Sequence, residues 1–285
     1  MTFFTFDPET DEITLLEDNE RDKNHSSPED QIAMEMINCF INTCGYFDIP
    51  RKLMNALNYW IEAPEDKLEE QWTRYQITTA GVLMTQDICE NRKLRRGKPT
   101  VHEVYGVPNT INAILHSTMA AFSIKAFETR EIIIQHGVGY ASNRDLHIEL
   151  ADQNICPTEE LYYKICGNKG VLVSFSYQVL FSQELYAIDN IDLTKLVRKI
   201  EIFLTIVDEC RRIAINRSEE EAVLKYALSI VKSSGCFEYA KKQLRLLRKE
   251  ILEEHNNFAR NALMDSFLND YLDVPTEFED VTWEL

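Results

Sequence analysis

Apolar residues recur every three or four positions along most of this chain. In QIAMEMINCFINTCGYF one stripe runs through Ile32, Met36 and Phe40, with Ile37, Ile41 and Cys44 beside it. In LTKLVRKIEIFLTIVDECRRIAI the residues Leu196, Ile200, Phe203 and Ile206 repeat the pattern. Such spacing places the residues on one face of a helix, so it predicts amphipathic helices that each bury one side. Helix starts are marked by Ser27-Pro28-Glu29-Asp30, Ala63-Pro64-Glu65-Asp66 and Pro157-Thr158-Glu159-Glu160. Proline suits the first turn, where its missing N–H is not needed, and carboxylates answer the positive end of the helix dipole. Nine glycines and eight prolines in 285 residues are few for a protein built of many tight turns. The expected class is all-α.

The period fails at both ends. Residues 1–29 are acidic, carry Asn24-His25-Ser26-Ser27-Pro28, and read as a tail that is disordered or loosely attached. Residues 273–285, DVPTEFEDVTWEL, read as a second acidic tail. A helical domain over 30–272 is expected between them.

Charge and cysteine content narrow the function. Thirty Lys and Arg against 47 Asp and Glu give a net charge of −17, which disfavours binding nucleic acid or an anionic membrane by neutralising phosphates unless the basic residues are gathered on one face. The seven cysteines, at 39, 44, 89, 156, 166, 210 and 236, form no C-x-x-C pair, as expected of reduced thiols in the cytoplasm. No window reaches the roughly 18 apolar residues of a membrane span, and the start lacks a basic segment leading into an apolar run. His102, His116, His136 and His147 have no partners at zinc spacing.

Between Asn91 and Pro108 the helical pattern breaks into NRKLRRGKPTVHEVYGVP, with Lys93, Arg95, Arg96 and Lys98 in an otherwise acidic chain. This segment reads either as a solvated loop or as an anion site, since adjacent arginines beside a glycine can fork onto phosphate oxygens.

That run, followed by Val104-Tyr105-Gly106-Val107-Pro108 and Ile111-Asn112, resembles the segment after the first aspartate-rich motif of geranylgeranyl diphosphate synthases. Four further stretches fit in the same order. They are Asn58 to Leu68, Cys156 to Glu160, Phe203 to Asp208, and Gly235-Cys236-Phe237-Glu238-Tyr239-Ala240, which resembles the family's closing element. The resemblance implies an isoprenoid synthase helical bundle with a cavity for a prenyl chain. In that family, two DDxxD motifs hold magnesium, which binds an allylic diphosphate and assists its departure. Carboxylates at i and i+4 share a helical face, and Mg²⁺ takes hard oxygen ligands.

The motifs here depart from that pattern. The first corresponds to Gln86-Asp87-Ile88-Cys89-Glu90 and the second to Asp208-Glu209-Cys210-Arg211-Arg212, so Asp87, Glu90, Asp208 and Glu209 are the metal ligands the resemblance implies. An amide stands at 86 and a cation at 212, and both weaken attraction for a hard dication. The family's G-K-x-x-R segment falls at about Tyr46 to Pro50 without either cation in register, although Arg51 follows. Its K-T pair corresponds to Lys169-Gly170, and its Q-G-x-x-x-D segment to about Asn143 to His147. Arg95, Arg96, Lys169 and Arg51 are thus the implied diphosphate-binding residues. Only 213–234 separates the second motif from the closing element, a shortening of the fold on that side.

The resemblance implies a place in isoprenoid metabolism, with prenyl diphosphate as ligand and Mg²⁺ as cofactor if the chain is active. Two functions follow from the altered motifs. One is a weakly catalytic or noncatalytic subunit that forms a homodimer, or a heteromer with a prenyl diphosphate synthase. The other is an active prenyltransferase or terpene synthase that ionises an allylic diphosphate and uses a different acceptor.

Overall fold

Helices carry nearly every described residue after Pro28, as the 3.6-residue period requires. The computed structural model describes residues 3–7, 12–16, 28–44, 47–122, 127–169, 192–215 and 221–282. Contacts divide the chain into two units, Met1–Gly45 with Gln76–Arg130, and Tyr46–Tyr75 with Glu131–Leu285.

The first unit opens with a hairpin inside the acidic N-terminal stretch. Phe3–Asp7 (β1) pairs antiparallel with Glu12–Leu16 (β2), Phe3 opposite Leu16 and Asp7 opposite Glu12. The run FFTFD is rich in aromatic and β-branched residues, which suit a pleated strand. Helix α1 (Pro28–Cys44) follows and packs on α4 (Val101–Tyr105) and α5 (Val107–Phe122). Met36, Ile37 and Phe40 of α1 are buried with Ala80, Met84, Val101 and Ala113. Ile32, expected on the same stripe, is 59% exposed. Helix α3 (Glu65–Cys89) enters this unit in its second half. There it approaches α5 so closely that a Cβ on Gly81 would lie 2.2 Å from Ser117 Oγ.

In the second unit α2 (Asp48–Ile61) ends at Glu62, whose left-handed φ of 56° turns the chain towards Pro64 and α3. Asn58 fixes that turn by accepting from the Ala63 N–H at 2.9 Å and donating to its carbonyl. After α6 (Phe127–Asp152) and α7 (Glu159–Lys169) comes α8 (Thr194–Ile215), the central helix of this core. Leu196, Ile200, Phe203 and Ile206 are all buried, as their spacing predicts. Helix α9 (Glu221–Ser233) leads to α10 (Cys236–His255), which packs on α8. Helix α11 (Ala262–Tyr271) packs on α2. Its cap, Asn261, is wholly buried, accepts from the Leu263 and Met264 N–H groups, and donates to the Ala56 carbonyl at 2.7 Å.

The C-terminal segment is no free tail. Residues Phe278–Asp280 form a 3₁₀ turn against α8, and Phe278 is 1% exposed, its ring 5.4 Å from that of Phe237. Lys232 pairs with Glu279 at 2.7 Å, and Arg248 with Asp273 at 3.0 Å. Some of the acidic charges that suggested a tail thus take part in ion pairs beside the buried Phe278. Among the described residues no helix is long and apolar enough to cross a membrane.

Candidate functional site

The first aspartate-rich motif lies at the C-terminal end of α3, and its carboxylates are answered by arginines a few residues on. Asp87 is 1% exposed and Arg95 is 7% exposed. Arg95 Nε donates to both Asp87 oxygens at 3.0 Å, and its Nη2 donates to Oδ1 at 2.7 Å. Glu90 is bonded by the Arg92 guanidinium and accepts from the Gln86 amide at 3.0 Å. Arg92 Nε also lies 3.8 Å from Asp87. Two carboxylates therefore sit among two guanidiniums, and the charge of the motif is neutralised within the chain.

A small hairpin places those arginines. Leu94–Arg95 (β3) pairs with Lys98–Pro99 (β4), Arg95 opposite Lys98. The two turn residues, Arg96 and Gly97, have φ of +52° and +74°, the left-handed pair by which a two-residue turn matches the strand twist. The buried Thr100 then closes the loop, its hydroxyl donating to the Arg92 carbonyl at 2.8 Å. The segment expected as a loop or anion site is a hairpin that commits Arg95 to Asp87 and leaves Arg96 half-exposed at the turn.

The second motif lies on α8. Asp208 is buried, and Glu209 is half-buried and accepts from the Tyr162 hydroxyl of α7 at 2.6 Å. Burial, and then the charge of Glu209, hold that phenol well above the usual tyrosine range, so it stays a donor. Burial also pushes the neighbouring Cys210 thiol up to about 12. Arg211 is buried and donates from Nε to the Val281 carbonyl at 2.8 Å, whereas Arg212 is exposed. The family-like closing element reaches the same region through Tyr239, whose hydroxyl donates to Glu159 at the start of α7 at 2.8 Å.

Of the remaining residues proposed from sequence, Arg51 pairs with Glu69 and lies 5.1 Å over the Trp72 ring. Lys169 is the last residue of α7, and its side chain lies outside the described residues, as does Gly170. Asn143, in the altered Q-G-x-x-x-D segment, is buried and its amide faces the Ile165 carbonyl at 3.4 Å, joining α6 to α7.

Comparison with known proteins decides the family. The Polyprenyl synthetase family model matches residues 50–211. This chain belongs to the polyprenyl synthetase family. The geranylgeranyl pyrophosphate synthase atmG of Aspergillus flavus is 27% identical over 277 residues, covering 78% of this chain and 79% of that protein. A terpene synthase of Matsumurasca onukii is 24% identical over 269 residues, covering 79% and 88%. Among solved structures, a geranylgeranyl pyrophosphate synthetase from the archaeon Geoglobus acetivorans aligns over 85% of this chain and 92% of its own. The TM-score is 0.67 at 15% identity. The polyprenyl synthetase family member therefore has the isoprenoid synthase helical fold that its motifs imply.

The magnesium associated with this family does not fit the first motif as arranged. A divalent ion needs carboxylate oxygens free to enter its shell, and both Asp87 oxygens accept from Arg95. Among the described residues no group of three or more His, Cys, Asp and Glu side chains could hold a metal ion. Sequence reading passed over Arg92 and Tyr162. The first follows a carboxylate by two residues and could have been suspected, while the second is remote in sequence from Glu209 and carries no local signal.

Proposed function

We propose that this polyprenyl synthetase family member acts in isoprenoid metabolism as a weakly catalytic or noncatalytic subunit that pairs with an active prenyl diphosphate synthase. The observation that carries this reading is the buried fork of Arg95 on Asp87, with Arg92 on Glu90 beside it. A motif neutralised by its own arginines has little attraction left for the dications that a departing diphosphate requires. Gln86 and Arg212, in place of acidic or metal-facing family residues, support it further. The core packing described above is well formed, which is what a subunit retained for association needs.

The test is affinity capture of the full chain from the cells that make it, followed by product analysis of any synthase recovered with it. A recovered synthase whose product length or yield changes when the chain is removed is the expected result. Recovery of neither a second copy nor a synthase would sink the proposal.

A second reading, an altered prenyltransferase or terpene synthase, is favoured by the resemblance to the terpene synthase of Matsumurasca onukii along 88% of that protein. Calorimetric titration of farnesyl and geranylgeranyl diphosphate with and without Mg²⁺ separates the two. Binding indifferent to Mg²⁺ is expected of the subunit, and binding strengthened by Mg²⁺ with release of diphosphate would favour the enzyme.

A further inference from the structure

An acid-free basic run follows the family-like closing element on α10, away from either aspartate-rich motif in sequence. Lys241, Lys242, Arg245, Arg248 and Lys249 occur there with no carboxylate among residues 241–249, in a chain of net charge −17. Arg245, Arg248 and Lys249 stand at i, i+3 and i+4, which makes them neighbours on one helical face. They line an open surface depression of about 400 Å³ together with Leu252, Glu253 and Asn256.

The carboxylates that meet these cations are themselves largely in water. Arg248 Nε donates to the Leu272 carbonyl at 3.0 Å, a neutral acceptor that orients the guanidinium. Its Nη2 meets Asp273 at 3.0 Å, and that carboxylate is 78% exposed and hence easily exchanged for another anion. Lys249 and Glu253 are 3.7 Å apart and both largely in water, a weak pair. Arg245 is exposed. Two acids of the helix's second half, Glu250 and Glu254, are drawn elsewhere, to Lys199 of α8 at 3.2 and 3.3 Å. Lys241 is likewise spent, being buried, bonded to Glu238 and set over the Phe278 ring.

We propose that Arg245, Arg248 and Lys249 form an anion site for a phosphate or diphosphate group, on a face of α10 that neither aspartate-rich motif contributes to. Two guanidiniums present forked donors matched to phosphoryl oxygens, and Lys249 adds a movable point charge. Asn256 adds a neutral amide and Leu252 an apolar side chain to the lining, and the open face admits the group free or as the head of a lipid. The site does not depend on the subunit reading above.

The experiment uses the full chain and its Arg245→Glu/Lys249→Glu and Arg245→Gln variants, with circular dichroism to confirm folding. One arm titrates inorganic diphosphate calorimetrically; the other floats the protein with vesicles of phosphatidylcholine alone or with phosphatidic acid. About tenfold weaker binding in the double variant is expected, with a smaller loss in Arg245→Gln. Loss in the diphosphate arm assigns a soluble ligand, and loss in the vesicle arm alone assigns a lipid headgroup. Absence of binding in both arms overturns the proposal. So does binding that Arg96→Gln abolishes and the α10 variants leave unchanged, which would place the ligand at the β3–β4 hairpin instead. Should the double variant fail to fold, the exposed Arg245→Gln variant decides alone, and unchanged affinity for both probes overturns the site.

Discussion

Arg95 and Asp87 show how much one buried pair can determine. Removing one partner of such a pair strands a charge away from water, at a cost of about 3–5 kcal/mol. Arg95→Ala is therefore expected to lower unfolding stability by about that much in urea titration. The Asp87→Ala/Arg95→Ala double variant should lose distinctly less than the sum of its two singles. An additive double variant would mean the guanidinium and carboxylate do not act as a pair. Cys210 offers a second test at this scale. Its thiol is pushed up to about 12 by burial and by the charge of Glu209, so at pH 8 it holds almost no thiolate, the reactive form. Cys89, Cys156 and Cys236 are exposed. Ellman titration with peptide mapping should label those three well before Cys210.

Among the elements, α11 depends on a single side chain. Asn261 caps two N–H groups of that helix and spends its own amide on the Ala56 carbonyl of α2. Asn261→Ala is expected to cost about 1–3 kcal/mol, because it removes a cap and leaves the Leu263 and Met264 N–H groups unanswered; a loss under about 0.5 kcal/mol would show that water replaces it. Elements of this kind differ in how far sequence reveals them. Helix α8 is legible because Leu196, Ile200 and Phe203 repeat at helical spacing and are buried together. The β1–β2 hairpin was missed because two strands of five residues are too short to show a sustained period. The C-terminal segment was missed because Phe278, its deeply buried ring among the described residues, has no periodic companions. Of the candidate site, the family motifs and the basic run at 92–98 could be read directly. What each side chain does could not, since Tyr162 meets Glu209, and Arg211 meets Val281, only through the fold.

On the scale of the whole molecule, association of the C-terminal segment should respond to acid. Its hydrogen bond from Lys232 holds the Glu279 carboxyl below the usual value of 4.5. A carboxyl with a depressed folded value contributes fully above its ordinary pKa and loses that contribution as pH falls through the folded one. Hydrogen exchange corrected for intrinsic rate is therefore expected to show residues 276–282 less protected at pH 3.5 than at pH 6. Lys232→Met should remove that difference, and a pH response unchanged in the variant would assign it to other carboxyls.

The packing of α2 against α11 also sets a clock on synthesis. Ala56 waits for Asn261, 205 positions later, and Lys52 for Tyr271, 219 positions later. At about 5–20 residues per second a ribosome takes roughly 10–40 s to cover that interval. During that time Leu53, Leu57 and Trp60, buried in the finished protein, lack the C-terminal part of their cover. Nascent chains of this protein are thus natural clients for chaperones that bind apolar helix faces, and a stall late in the message leaves an aggregation-prone fragment rather than a shortened working fold.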